Sequence, residues 1–364
     1  NICIYLLAMI SSLSMVSAFA VFFLSCSSNV QAFGPVMRPA AIGGTRYVNN
    51  DARPMSSSVL LRMAEGGPPQ YERRAASAIS NEEVGQGTYL IRVAADDEKP
   101  VEYEPGHVLA LEILNPEKGE DDEEEWLRGP YTVTRSDDSS FDVMYRVVGK
   151  KSQTFSAAVV KSTDSINNNA RFQFGGKFKV PILEGIHHPE QLERIVLIST
   201  GVGVGPQMGF IEQALCDDAF AHIQIDLYAG FRNAKDVCCS DTLNDLATAH
   251  PDRFSWEAIV SDDVGRTSDP YALSKIANHA KKDSDSVNDK TATATHYHLI
   301  GNGSMVNEFK AGLKEAKIPD DRVTIEMYFN HKEIPRPDTV KSITDAVLKG
   351  GDSGHTSSDT KTEK

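Results

Sequence analysis

A chain of 364 residues with 40% apolar side chains is long enough for about two ordinary domains, and its composition excludes global disorder. Its formal net charge is -14. The first 62 residues hold four arginines (Arg38, Arg46, Arg53 and Arg62) and one acid, Asp51, so the excess of acid lies in the body. A body this acidic repels phosphates, which excludes a general nucleic-acid binder and makes an acidic protein a poor overall match as partner.

Residues 2–25 are apolar apart from a few serines, long enough for a membrane anchor. Val30-Gln31-Ala32 places small residues where a signal peptide is cut, and Met15 offers an internal start. Phe33 follows directly, and the next thirty residues are rich in Arg, Ser and Ala and almost free of acid. This arrangement resembles the bipartite plastid presequences of algae with secondary plastids. The resemblance implies a signal peptide over 1–32, a plastid transit peptide over 33–62 and a flexible leader over 63–83. The destination would be the stroma or the stromal thylakoid face, with peripheral thylakoid association possible. A secreted or endomembrane protein and a retained anchor stay open as alternatives.

From Gly87 short β-rich runs bounded by Gly and Pro predict a small antiparallel barrel over 84–190. Its strands are Thr88–Val93, Val108–Leu114, Tyr131–Thr134, Phe141–Val148 and Phe178–Ile182, with a charged loop at 115–125. After Pro189 the pattern changes to strand–helix alternation, which predicts a parallel sheet covered by helices over 191–332. Strands are expected at Arg194–Ser199, Ile223–Tyr228, Phe254–Val260, Tyr297–Ile300 and Val323–Phe329. Helices are expected at Gly209–Cys216, Asp236–Ala249, Tyr271–Lys281 and Met305–Ala316. Residues 283–295 read as a polar linker, and 333–364 as a mobile tail with at most one weak helix.

Four short stretches carry chemistry. Thr200-Gly201-Val202-Gly203-Val204-Gly205-Pro206 follows a strand and opens a helix, where glycines admit a pyrophosphate and the helix end supplies N–H groups. Gly301-Asn302-Gly303-Ser304-Met305 repeats that context a hundred residues later, and the two turns together would form one dinucleotide crevice. Gly129-Pro130-Tyr131-Thr132 offers an aromatic ring and a hydroxyl to a flavin, with Thr132 toward its N5 edge. Gly149-Lys150-Lys151-Ser152 offers N–H groups, lysines and a hydroxyl to a phosphate.

In this order the four stretches resemble the ferredoxin–NADP reductase superfamily, which includes the cytochrome b5 reductases, over about residues 84–330. The resemblance implies an FAD-binding barrel followed by a Rossmann-like nicotinamide-nucleotide domain. Tyr131 and Thr132 would contact the isoalloxazine as the catalytic pair. Gly149, Lys150 and Ser152 would hold the FAD pyrophosphate. Thr200, Gly201, Gly203 and Pro206 would hold the nicotinamide nucleotide, with Gly301, Asn302, Gly303 and Met305 beside the nicotinamide. The implied reaction passes electrons between NADPH or NADH and a carrier protein such as ferredoxin, or a small acceptor.

Three departures stand out. Gly129 occupies the place of the family arginine, and Arg128, one position away, should face the other side of the strand unless a bulge re-aims it. Ile300 replaces a family cysteine. Plant-type relatives end in an aromatic that covers the flavin, near an acid, and this chain runs on past Tyr328 with no clear occupant for either role. Ser261-Asp262-Asp263 would repel a 2′-phosphate, whereas Arg232 and Arg266 would attract one, so NADPH and NADH both remain open. A reductase fold kept as a non-catalytic scaffold of a plastid complex is the rival reading. Lys150, Lys151 and Lys177 could begin a basic docking face for an acidic carrier. His187-His188 reads as a solvated linker pair, and Cys238-Cys239, adjacent in a predicted helix, should point to different faces and form no redox pair.

Overall fold

The computed structural model describes residues 71–115, 125–163, 171–261, 273, 276 and 294–349. The expected signal, the transit segment and the first part of the leader, 63–70, fall outside them. So do most of the acidic loop and of the expected Tyr271–Lys281 helix, the linker to 293 and residues 350–364. The barrel and the sheet belong to one compact unit.

Six strands close the barrel in the order β1-β2-β5-β4-β3-β6: β1 (Arg74–Gly85), β2 (Thr88–Ala95), β3 (Val108–Leu114), β4 (Trp126–Ser136), β5 (Ser140–Arg146) and β6 (Phe172–Gly175). Two strand expectations are corrected here. Residues 74–83 are not a flexible leader but the first barrel strand, with Ala76 and Ala78 facing the core and Arg74 paired to Phe174. The closing strand is Phe172–Gly175, not Phe178–Ile182: Phe172 and Phe174 alternate into the core, and Gly176 at φ 80 turns the chain out of the sheet before Phe178. Between β5 and β6, helix α1 (Lys150–Thr163) presses Phe155 and Val159 into the barrel. The Gly149–Ser152 turn is therefore the start of a helix.

The second half is an all-parallel sheet in the order β11-β10-β7-β8-β9: β7 (Arg194–Thr200), β8 (Gln224–Phe231), β9 (Phe254–Val260), β10 (Thr295–Asn302) and β11 (Val323–Phe329). Both faces are covered. Ile195 and Leu197 pack with α2 (Val204–Cys216) and α3 (Ser240–Ala249), while Val196, Ile198 and Leu299 pack with α4 (Gly303–Glu315) and α5 (Pro337–Lys349). Residues 237–239, inside the expected Asp236–Ala249 helix, instead form a loop after a 3-10 turn that ends at Asp236, with α3 starting at Ser240. The expected tail is corrected too. Residues 337–349 form α5, whose Ile343 is fully buried and sits where a side chain on Gly312 would have to go.

Barrel and sheet share a core. Met144 of β5 is part of the cluster that holds α2, and the β4 backbone lies against the same helix. A Cβ on Gly209 would sit 1.7 Å from the Thr134 carbonyl oxygen, so only glycine admits this approach. Arg135 of β4 adds a two-pronged ion pair to Glu212 of α2, both contacts at 2.5 Å.

Candidate functional site

In the open sheet the strand order reverses between β7 and β10, and both Gly-rich turns leave from the carboxyl ends of these neighbours. Gly201 adopts φ 56 and has no atom within 4 Å of a would-be Cβ, so its front is open. Gly203 is different: it packs on Ile300, and a Cβ there would sit 3.0 Å from that residue's carbonyl oxygen. Thr200 binds the two turns together, its hydroxyl accepting the Asn302 N–H at 2.7 Å over a Gly301 held at φ 128. Asn302 caps α4 by accepting the Ser304 N–H at 3.0 Å. Pro206 stands in the first turn of α2, where its missing N–H costs nothing.

Met305 and Gly303, assigned beside the nicotinamide, serve packing instead, as does Ile300 in the place of the family cysteine. Met305 is 2% exposed among Val306, Phe309 and Leu299. Ile300 is fully buried against Gly203. Gly303 is a packing glycine, because a Cβ there would meet the Asn330 carbonyl at 2.3 Å.

On the barrel, register decides which residues face outward. β3 and β4 pair without a bulge from Val108↔Thr132 through Glu112↔Arg128. Leu109, Leu111 and Ile113 fill the core, so their partners Tyr131, Gly129 and Leu127 face inward. Arg128, Pro130 and Thr132 form the outward row. The slip noted in the sequence therefore displaces Tyr131, not Arg128. The Tyr131 ring stacks on Phe155 with centroids 5.4 Å apart, and burial raises its hydroxyl pKa. Arg128 meets the buried Glu112 at 2.7 Å, in a cluster completed by Tyr71 (2.5 Å), Arg73 (3.2 Å) and Gln173 (2.7 Å).

Thr132 lies at the seam. It donates to Glu326 Oε1 on β11 at 2.5 Å, while Lys179 Nζ binds Glu326 Oε2 at 3.0 Å and the Ile325 carbonyl at 2.8 Å. Tyr328, two residues on and therefore on the same face of β11, lies near Thr132 and Glu326, and burial, then the Glu326 charge, pushes its hydroxyl pKa well up. An acid and an aromatic thus do stand beside Thr132. The signal was Glu326-Met327-Tyr328 at the end of the last strand, obscured because the chain continues into α5.

At the start of α1, Ser152 serves its own helix: its hydroxyl accepts the N–H of Val148 (2.9 Å) and of Gly149 (3.0 Å). The Gly149 N–H is one of those expected to meet a phosphate. Gly149 itself has open space in front, and Lys150 is exposed beside it. Arg232 is exposed just past the end of β8, where Ser261 N–H bonds the Phe231 carbonyl. Asp262, Asp263 and Arg266 lie outside the described residues.

Residues 197–310 match the family model described as "Oxidoreductase NAD-binding domain". Comparison with curated proteins finds no match. Among solved structures, a ferredoxin–NADP+ reductase from Plasmodium falciparum with 2′P-AMP superposes at TM-score 0.50 and 14% identity, over 70% of this chain and 96% of that one. A flavohemoglobin from Malassezia yamatoensis with bound FAD and heme superposes at TM-score 0.52 and 13% identity, over 71% of this chain and 60% of that one. The chain has the ferredoxin–NADP reductase-type two-domain fold. In this fold the matched nucleotide domain begins within β7 and ends in α4, so it contains both Gly-rich turns. Matched domain and barrel together support an FAD- and NAD(P)H-dependent oxidoreductase.

The residues present fit both groups. Cradles a Cβ would fill stand open at Gly149 and Gly201, and the outward row Arg128–Pro130–Thr132 runs along β4 to the seam with β11. Arg128, Gly149 and Lys150 would hold the FAD phosphates, Pro130 and Thr132 its ring, and the Thr200–Gly203 turn the nicotinamide nucleotide.

Proposed function

We propose that this protein is a plastid FAD-dependent oxidoreductase that passes electrons between NADPH or NADH and a carrier protein such as ferredoxin, or a small acceptor. The observation that carries the reading is the Thr132–Glu326 hydrogen bond, which joins barrel to sheet beside the crevice of the two Gly-rich turns, with Tyr328 on the same face of β11. When bound, the flavin supplies a ring that takes hydride from the nicotinamide and yields electrons one or two at a time. The chain supplies placement and proton handling. Thr132 holds its proton on the line to Glu326 Oε1, and Lys179 keeps the second carboxylate oxygen engaged so that the first stays aimed. The Gly201 turn and the N-terminus of α2 favour a diphosphate through free N–H groups and the helix dipole. Arg232, at the carboxyl edge of β8, is the cation placed to meet a 2′-phosphate, which supports NADPH. The acid-poor segment after Phe33 supports the plastid.

A second reading, the non-catalytic scaffold, draws on a different observation. Arg128 is engaged by Glu112, Ser152 by its own turn, and Tyr131 by Phe155. One experiment separates the two. Purified protein that is yellow, and is bleached by NADPH without added flavin, supports the enzyme, and faster bleaching by NADPH than NADH supports the Arg232 assignment. Colourless protein that neither rebinds FAD nor oxidises either nucleotide overturns the proposal and leaves the scaffold.

A further inference from the structure

Strand β5 serves both halves of the molecule by alternation. Val143 and Tyr145 point into the barrel, while Met144 joins the core around α2. Arg146, next on the Met144 side, leaves the barrel and meets Asp236 Oδ1 at 2.8 Å. Asp236 ends the 3-10 turn that follows β8 and is 3% exposed. Its other carboxylate oxygen accepts from Asn233 Nδ2 at 3.0 Å, and its N–H donates to the Asn233 carbonyl at 3.0 Å. Burial alone would raise the pKa of such a carboxyl. The hydrogen bonds from Asn233 and Arg146 outweigh it and hold the Asp236 pKa below the usual range.

Residues on either side of Asp236 are tied to the barrel as well. The Gln86 N–H bonds the Lys235 carbonyl at 3.1 Å, and the Cys239 N–H bonds the Val84 carbonyl at 3.2 Å. Gly85 lies so close that a Cβ there would meet the Val237 carbonyl oxygen at 3.1 Å. The loop therefore has two anchors. One is the end of the β8–β9 ladder, where the Ser261 N–H bonds the Phe231 carbonyl at 3.0 Å, and the other is the barrel. Arg232 is the first residue between them, and it is exposed.

We propose that Arg146 and Asp236 are positioning residues for a nucleotide 2′-phosphate: their ion pair sets the loop that carries Arg232, and with it the preference for NADPH over NADH. This role rests on Arg232 being the cation that meets that phosphate. An arginine side chain has many rotamers, so a firm phosphate contact needs its backbone held. Asp236 holds it firmly, because pulling its carboxylate off Arg146 would leave a buried charge unpaired. Arg146 brings the constraint from the barrel. Its side chain is 35% exposed, so replacing it leaves both cores filled.

The test is calorimetric titration of the whole purified protein with 2′,5′-ADP, which carries the 2′-phosphate, and with 5′-AMP, which lacks it. Wild type should prefer 2′,5′-ADP. Arg146→Met and Asp236→Asn should each lower the ratio of the two affinities about tenfold, and Arg146→Lys should restore most of it. In an Arg232→Ala background, Arg146→Met should change the ratio no further, because it acts through Arg232. A ratio lowered by Arg232→Ala but untouched by Arg146→Met and Asp236→Asn overturns the positioning role and leaves the Arg232 assignment standing. Equal losses for both nucleotides also overturn it, since a merely structural defect weakens them alike. A further drop in the Arg232→Ala background would make Arg146 itself a phosphate contact and overturns it too. A wild type without preference, or a ratio that Arg232→Ala does not move, overturns the Arg232 assignment and this role with it.

Discussion

At the scale of single residues, Thr132 and Glu326 bear most of the proposed chemistry. Their bond joins residues 194 apart in sequence, and Glu326 is buried with Lys179 as its cation. Replacing Glu326 by Gln keeps the shape and still accepts from Thr132, but it removes the charge that binds Lys179 and can take up a proton. A positioned acid or base is worth about 100-fold or more. Glu326→Gln should therefore lower kcat about 100-fold while FAD retention stays within twofold of wild type, as read by steady-state kinetics and flavin fluorescence. A variant with normal kcat would remove Glu326 from proton handling, and colourless protein would instead show a binding role. Thr132 was legible from its place after Gly129-Pro130-Tyr131. Glu326 was not, because nothing local in Val323–Phe329 separates an acid facing a seam from one facing solvent.

At the scale of elements, close approach and burial set the sensitivities. Gly209 lets β4 rest on α2, and a methyl group there would fall 1.7 Å from a backbone oxygen that cannot rotate away. Gly209→Ala should cost about 1–3 kcal/mol, the usual range for overpacking, measured as a lower urea midpoint. On β10 and β11, buried His296 and His298 share the Thr324 hydroxyl at 2.9 and 2.8 Å. Burial, then the Arg322 charge, pulls the His296 pKa from 6.5 down to about 4, and burial lowers His298 as well. Below pH 6.5 the unfolded chain takes up protons that the folded chain refuses. Stability present above pH 6.5 should therefore fall progressively toward pH 4, by about 3 kcal/mol for His296 alone. Urea unfolding along that pH range should show the slope, and His296→Asn should flatten it. The alternation of the nucleotide half was readable because each apolar strand is followed by a Gly-rich turn and a helix. The first strand reads as a leader, and α5 only as one weak helix in a tail, for a shared reason. Arg74–Gly85 and Pro337–Lys349 are polar segments with few apolar anchors, and only the surfaces awaiting them, Phe172–Gly175 and Gly312, specify what they become.

At the scale of the whole molecule, the barrel depends on the short approach before β1. Tyr71 and Arg73 reach over its outer face to Glu112, which is 1% exposed and accepts from Tyr71, Arg73, Arg128 and Gln173. The Tyr71 ring also stands edge-on to Phe178, 5.5 Å between centroids, and fills the space over Gly175. Desolvation alone would raise the pKa of a carboxyl so placed. Hydrogen bonds from Tyr71, Arg128, Arg73 and Gln173 outweigh it and hold the Glu112 pKa below the usual range. Two truncations therefore have different consequences. A chain beginning at Pro69 keeps all four donors, whereas one beginning at Arg74 loses two of them and leaves a buried carboxylate under-satisfied. The shorter chain should be less stable by about 1–3 kcal/mol, the ordinary penalty for an unmet buried acceptor. Its deficit should shrink as pH falls and Glu112 takes up a proton. In the shorter chain, Glu112→Gln should recover part of the loss, since an amide needs less compensation than a charge. Equal urea midpoints for the two chains near neutral pH would show that Arg128 and Gln173 suffice for Glu112, which would leave Arg128 committed to the acid and no cation on the outward row for a flavin phosphate.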